Sequence, residues 1–180
     1  MFARPLLIAF CACFPFVLTG CGSHLGWQAD LRENLPRLGH RNFIVIADSA
    51  YPLQSAPGIR TVHVGGTQAA ALQKVLAMLA AQKHVRPVVW MDRELEKIPD
   101  ADAPGIEQCR QNLSTILQGA QVKNAPHIEI IKRLDESSKL FNVTILKTDE
   151  TLPYTSVFLE LDCGYWDGAW EKRLRAALGN

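Results

Sequence analysis

Apolar residues along the chain fall into short dense runs separated by amphipathic stretches. Residues 43–47 (FIVIA) form a five-residue apolar run closed by Asp48, the signature of a buried strand. Residues 60–64, 86–91, 128–131, 143–146 and 157–161 read as further strands. The clearest helix is 67–82: Leu72, Val75, Leu76 and Leu79 line one face, and Thr67 stands where a cap belongs. Residues 106–117 form a second, with Ile106, Cys109, Leu113, Ile116 and Leu117 on its apolar side. Residues 30–38 predict a short helix disturbed by Pro36 and ended by Gly39 as its C′ residue. A short helix at 135–141 and an appended amphipathic helix at 165–178 complete the pattern. Strands alternating with helices imply a single three-layer α/β domain whose largely parallel sheet is covered on both faces.

The first 21 residues do not fit that pattern. Arg4 precedes an apolar run from Leu6 to Leu18, shorter than the ~20 residues that span a bilayer as a helix. Its length suits the apolar core of a secretory signal. Leu18-Thr19-Gly20-Cys21 then resembles a bacterial lipobox, with small residues beside the cut and a thiol to take the lipid. The expected organisation is a leader at 1–20, a tether at 21–27 anchored through Cys21, an α/β domain at 28–163 and a helical extension at 164–180. Such a chain is held on the extracytoplasmic side of a bacterial envelope membrane through its lipid alone.

Composition narrows the partners. The chain carries 19 Lys and Arg against 18 Asp and Glu, and the leader holds only Arg4, so the remainder is formally neutral. That balance offers nothing to nucleic acid. Of the five cysteines, only Cys109 and Cys163 stay in the folded part. An oxidising compartment permits a bridge between them, although two independent thiols is the simpler reading. No Cys/His spacing suits a zinc site.

Arg37-Leu38-Gly39-His40, the strand 43–47 with Asp48-Ser49-Ala50, and Tyr51-Pro52 resemble the opening of the ribose pyranase and fucose mutarotase family (RbsD/FucU). Gly58-Ile59-Arg60 before the long helix and Pro153-Tyr154 before the last strand extend the resemblance over about residues 28–163. It implies an RbsD-like fold, a free monosaccharide as substrate, no cofactor or metal, and homo-oligomers with sites between subunits. The implied reaction opens and recloses a sugar ring by general acid/base chemistry. His40 is its implied catalytic group, since an imidazole exchanges protons near neutral pH. Asp48, Tyr154, Ser156 and Arg133 are the implied substrate contacts. From residue type alone His40 is more simply a helix-end residue bonding a carbonyl, Asp48 is also a turn cap, and Tyr154 is equally a packing residue.

Two features complicate that reading. The pyranase branch carries a second histidine near the start of a short helix after the strand at 128–131. Here that stretch reads Lys132-Arg133-Leu134-Asp135-Glu136, and His127 would open the strand at its far end. Ser156 also replaces the usual asparagine of a Tyr-x-Asn triplet. A catalytically degenerate envelope protein that binds a sugar or a partner therefore remains the alternative. His24, His63, His84 and His127 carry no matched motif. Five strand residues advance ~16 Å, so His40 and Asp48 are expected at opposite ends of one strand, meeting only between subunits.

Overall fold

The structure, a computed structural model, describes residues 26–179. The leader, Cys21 and His24 lie outside the described residues. Chain order is α1 (Gly26–Asn34), β1 (Phe43–Ala47), β2 (Ile59–His63), α2 (Gln68–Ala80), β3 (Val85–Asp92), α3 (Ile106–Ile116), β4 (Val122–Ala125), α4 (His127–Ser138), β5 (Val143–Lys147), β6 (Val157–Cys163) and α5 (Gly168–Ala177). Turns of 3-10 helix follow α1 at Leu35–Arg37 and β3 at Arg93–Lys97.

All six strands form one sheet in the order β2-β5-β1-β6-β3-β4. β1–β5, β2–β5 and β3–β4 pair in parallel, whereas β6 runs antiparallel to both β1 and β3. The direction of β6 follows from its connection: residues 148–156 are too few for a parallel crossover, which needs a dozen or more. The fold is the expected α/β domain with a largely parallel sheet.

Alternation along the strands feeds two cores. Ile44 and Ile46 of β1 with Val89, Leu159 and Leu161 pack beneath Leu31, Leu72, Val75, Leu79, Ile106 and Leu113 of α1, α2 and α3. Phe43, Val45, Ile145 and Phe158 face the other way, against Ile130 and Leu134 of α4. Every residue of β1 is buried, which makes it the centre of both cores. Thr67 caps α2 as expected, its Oγ1 accepting from the Ala70 N–H at 3.2 Å.

Three sequence expectations need correction. Residues 128–131 are the first turn of α4 rather than a strand, because Ile130 and Leu134 lie one helical step apart and bury together while Ile128 stays 71% exposed. Of the helix expected at 135–141, residues 135–138 are the last turn of α4 and the remainder lies past its end. The strand is instead β4, a largely exposed edge with no apolar alternation. Gly39 is not a left-handed helix terminus: the chain leaves the 3-10 turn through extended Leu38, and Arg41 takes the positive φ of 72°. Cys109 and Cys163 are free thiols, the simpler of the two readings of the sequence.

Gly58 abuts the backbone where α4 ends: a Cβ there would collide with the Ser138 carbonyl oxygen and come within 2.9 Å of that of Phe141. Gly58→Ala should lower folding stability by about 1–3 kcal/mol. It would be read as a lower urea midpoint at unchanged slope, with Gly26→Ala, which meets nothing within 4 Å, as the neutral control.

Candidate active site

Strand register assembles a cleft at the carboxyl ends of the parallel strands. Val157 at the start of β6 pairs with Ile46 on one side and Met91 on the other. Asp48 and Asp92 therefore emerge on either side of the β6 entry. Asp92 also pairs with Ala125 of β4, which brings His127, the first residue of α4, beside it. The crevice outside strand carboxyl ends is the usual ligand position in open α/β sheets. Here it holds about 370 Å³ and is lined by Asp48, Tyr51, Gln54, Asp92, His127 and Tyr154.

Each wall is fixed by named contacts. Asp48 Oδ2 accepts from Ser156 Oγ at 2.8 Å, and its Oδ1 accepts from the Ala50 N–H at 2.9 Å. Ser156 Oγ in turn accepts from the Asp48 N–H at 3.2 Å. Gln68 at the start of α2 is 1% exposed; its amide donates to the carbonyls of Ile46 and Thr155 and so ties the end of β1 to the entry of β6. Tyr154 is held in a left-handed conformation, φ 57°, which a bulky side chain adopts at a cost. Its ring meets that of His127 edge-on at 5.5 Å.

The chemistry centres on Asp92 and His127. Asp92 Oδ2 lies 2.8 Å from His127 Nδ1. Glu94, from the 3-10 turn after β3, accepts the His127 backbone N–H through both carboxylate oxygens at 3.0 Å, where a negative charge also suits the helix N-terminus. Burial pushes the Asp92 carboxyl up to about 6, while the His127 hydrogen bond works against that rise. Once ionised, Asp92 only accepts, so it fixes the Nδ1–H tautomer and leaves the Nε2 lone pair as the proton acceptor. Burial, followed by the charges of Asp135, Asp48 and Asp92, raises the Tyr51 hydroxyl and keeps it protonated.

Three buried polar atoms of the same walls have no protein partner: Tyr51 Oη, Gln54 Oε1 and Asp92 Oδ1. Leaving such a group unpaired costs about 1–3 kcal/mol. Their concentration in one small cleft fits a ligand rich in hydroxyls.

The sequence-derived residues divide among three places. Asp48 and Tyr154 line the cleft, and Ser156 supports Asp48 from 2% exposure. His40 is exposed at the opposite end of β1, in a separate cleft of about 650 Å³ with His84, Arg86, Asp162 and Trp166. Arg133 lies outside both, paired to Glu160 at 2.8 Å and stacked 4.8 Å over Trp90. Asp92 and His127 escaped the sequence reading. The signal for His127 was the i, i+4 pair Ile130 and Leu134 directly after Pro126-His127, and for Asp92 its place as the acid closing the run 86–91.

A small three-layer α/β domain with an imidazole–carboxylate pair in a cleft at the strand ends defines the class of protein. The particular family is the RbsD / FucU transport protein family, whose model matches residues 27–163, and the chain belongs to it. Among solved structures the fold is similar to Bacillus subtilis RbsD complexed with D-ribose: TM-score 0.52, 23% identity, covering 74% of this chain and 92% of that one. It is also similar to the fucose mutarotase in complex with L-fucose from Streptococcus pneumoniae, with TM-score 0.51, 19% identity and coverage of 74% and 91%. A search of curated proteins finds no match.

The Asp92 carboxyl sets a pH dependence. Its folded-state value of about 6 lies above the ordinary carboxylate value of ~3.9. The folded chain therefore holds this proton more tightly than the unfolded chain, a contribution complete below about pH 4 and lost as pH rises through about 6. Unfolding free energy should fall by ~1–3 kcal/mol more across that window in the wild type than in Asp92→Asn. Urea titrations at pH 4, 5, 6 and 7 measure it; parallel curves for the two chains would contradict the assignment.

Proposed function

We propose that this chain opens and recloses the ring of a free monosaccharide, as a pyranase or mutarotase. The observation that carries the reading is the Asp92–His127 pair beside three buried polar atoms without protein partners. Family membership supports it, as does the cleft's place at the strand ends.

The chemistry needs only protons. His127 Nε2 takes the proton of the anomeric hydroxyl, with its tautomer set by ionised Asp92. The electrons of that O–H bond form the carbonyl, the bond from the anomeric carbon to the ring oxygen breaks, and the ring oxygen takes a proton from an acid. Rotation of the open chain and reversal of the steps give the other anomer or ring size. In this reading Asp48, held by Ser156, and Tyr51 and Gln54 bind sugar hydroxyls, while Tyr154 offers a ring face. His40 is the acid, supplied by a second copy, because β1 separates it from the cleft of its own chain. Arg133 takes no part. Cys21 carries a lipid that holds the domain on the extracytoplasmic membrane face, a reading supported by the apolar run and lipobox.

The same separation favours one alternative. A chain that stays monomeric has no His40 in its cleft and serves as a sugar-binding protein without catalysis.

Saturation-transfer NMR with ribose, fucose and other free sugars tests the proposal. The wild type should accelerate exchange between forms, and His127→Ala should lose ~10²–10⁴-fold of that acceleration. His40→Ala should be equally impaired, and mixing it with His127→Ala chains should restore part of the rate through shared sites. A folded wild type that leaves every exchange rate unchanged would remove the activity. Saturable calorimetric binding without exchange would select the alternative.

A further inference from the structure

The helix α5 lies beyond residue 163, where the family model ends. It buries none of its residues. Trp166, Trp170, Leu174 and Leu178 recur at four-residue spacing and are 40%, 45%, 42% and 62% exposed. Trp170, Leu174 and Leu178 share one helix face, and Trp166, just ahead of the Asp167 cap, meets Trp170 edge-on at 5.6 Å. The charged residues of the helix, Glu171, Lys172, Arg173 and Arg175, are predominantly basic. Glu171 is paired with Arg175 at 2.7 Å, whereas Lys172 and Arg173 have no carboxylate partner among the described residues.

Packing fixes where α5 leaves the domain. A Cβ on Gly164 would stand 2.5 Å from the Lys83 carbonyl oxygen, so the segment departs tightly against the turn between α2 and β3. Ala81 and Gln82 of that turn border Gln28 and Arg32 of α1. The beginning and end of the folded chain thus share one region. Cys21 precedes Gly26 by five residues, which reach at most about 18 Å.

We infer that the Trp170–Leu178 face of α5, with Trp166 packed at its start, lies in the surface of the phospholipid bilayer that the Cys21 anchor addresses, with Arg173 flanking it against anionic headgroups. A ten-residue helix is ~15 Å long, and no described helix is long and apolar enough to cross a membrane. An aromatic and leucine face flanked by Arg173 on one side and the Glu171–Arg175 pair on the other suits the interface plane. The tether raises the local concentration of the helix, so weak intrinsic affinity suffices. A second copy fits this face less well. Of Trp166, Trp170, Leu174 and Leu178, only Trp166 lines the cleft that contains His40, and two α5 helices face to face would bring like charges together. Asp92 and His127 sit at the other end of the strands, so the bilayer contact leaves their cleft open.

This inference rests on the anchor reading, and one experiment separates the two. Full-length chain is reconstituted in phosphatidylethanolamine/phosphatidylglycerol vesicles containing lipids brominated near the headgroup end of the acyl chains. Tryptophan fluorescence should be strongly quenched. Leu174→Ser/Leu178→Ser should lose most of that quenching while circular dichroism stays unchanged, and Trp166→Phe/Trp170→Phe should remove the quenchable signal. Vesicle-held protein with unquenched tryptophans, or with quenching equal in the serine variant, overturns the helix contact and leaves the anchor standing. Tryptophans shielded in detergent only as protein concentration rises would assign the face to a second copy and also overturn it. Quenching in a chain whose Cys21 carries no lipid by mass spectrometry would sustain the helix contact and remove the anchor.

Discussion

Strand β6 must run against its neighbours, because the connection 148–156 is too short to carry it across the sheet. Much of the site follows from that restriction. An antiparallel strand between β1 and β3 begins where they end, so Tyr154, Thr155 and Ser156 arrive beside Asp48 and Asp92. Had β6 been parallel, its entry would lie at the opposite edge of the sheet, next to His40. The hydrogen bonds of Gln68 to Ile46 and Thr155 close the junction from above. The cleft is therefore a product of sheet topology, with side chains added at positions that the topology supplies.

Those side chains work against the fold that carries them. Asp92 is 2% exposed and retains an oxygen without a protein partner, as do Tyr51 and Gln54 on the same walls, and Tyr154 sits in a strained backbone region. Each choice costs stability, and apolar or relaxed residues would fold more firmly. The two cores on either side of β1 offset these costs, since each fully buried large side chain contributes about 1.5–3 kcal/mol. Asp92 and Glu94 also recover part of the expense by gripping the start of α4, one through the imidazole and one through the backbone N–H. The imidazole is consequently held on a helix terminus rather than on a mobile loop, which favours a defined direction for its remaining nitrogen.

How much of this could be read from the residues depended on whether burial left a periodic trace. β1 was plain because all five of its side chains are buried, and α2 because its apolar face and Thr67 cap agree. The separation of His40 from Asp48 followed from strand length alone. β4 left no trace: an edge strand whose side chains are mostly exposed needs no apolar alternation. Its absence from the reading shifted the strand onto residues 128–131, and that displacement hid His127, since a residue opening a strand and one opening a helix point to different places. Four apolar residues are too few to choose between the two periods. Asp92 was hidden differently. A carboxylate after a strand usually meets solvent, and only the neighbouring β4 and β6 bury this one.

Sheet polarity also orders the molecule as a whole. Parallel strands place all their carboxyl ends on one edge, and the cleft uses that edge through β1, β3 and β4. The amino ends of β1 and β3 occupy the other edge, with His40, His84, the Arg86–Asp162 pair and the departure of α5. Additions at this second edge leave the first unaltered, because the sheet and its two cores stand between them. An extension after residue 163 can therefore acquire a new surface without moving Asp92 or His127. The same polarity keeps His40 and the Asp92–His127 pair of one chain at opposite ends of the sheet.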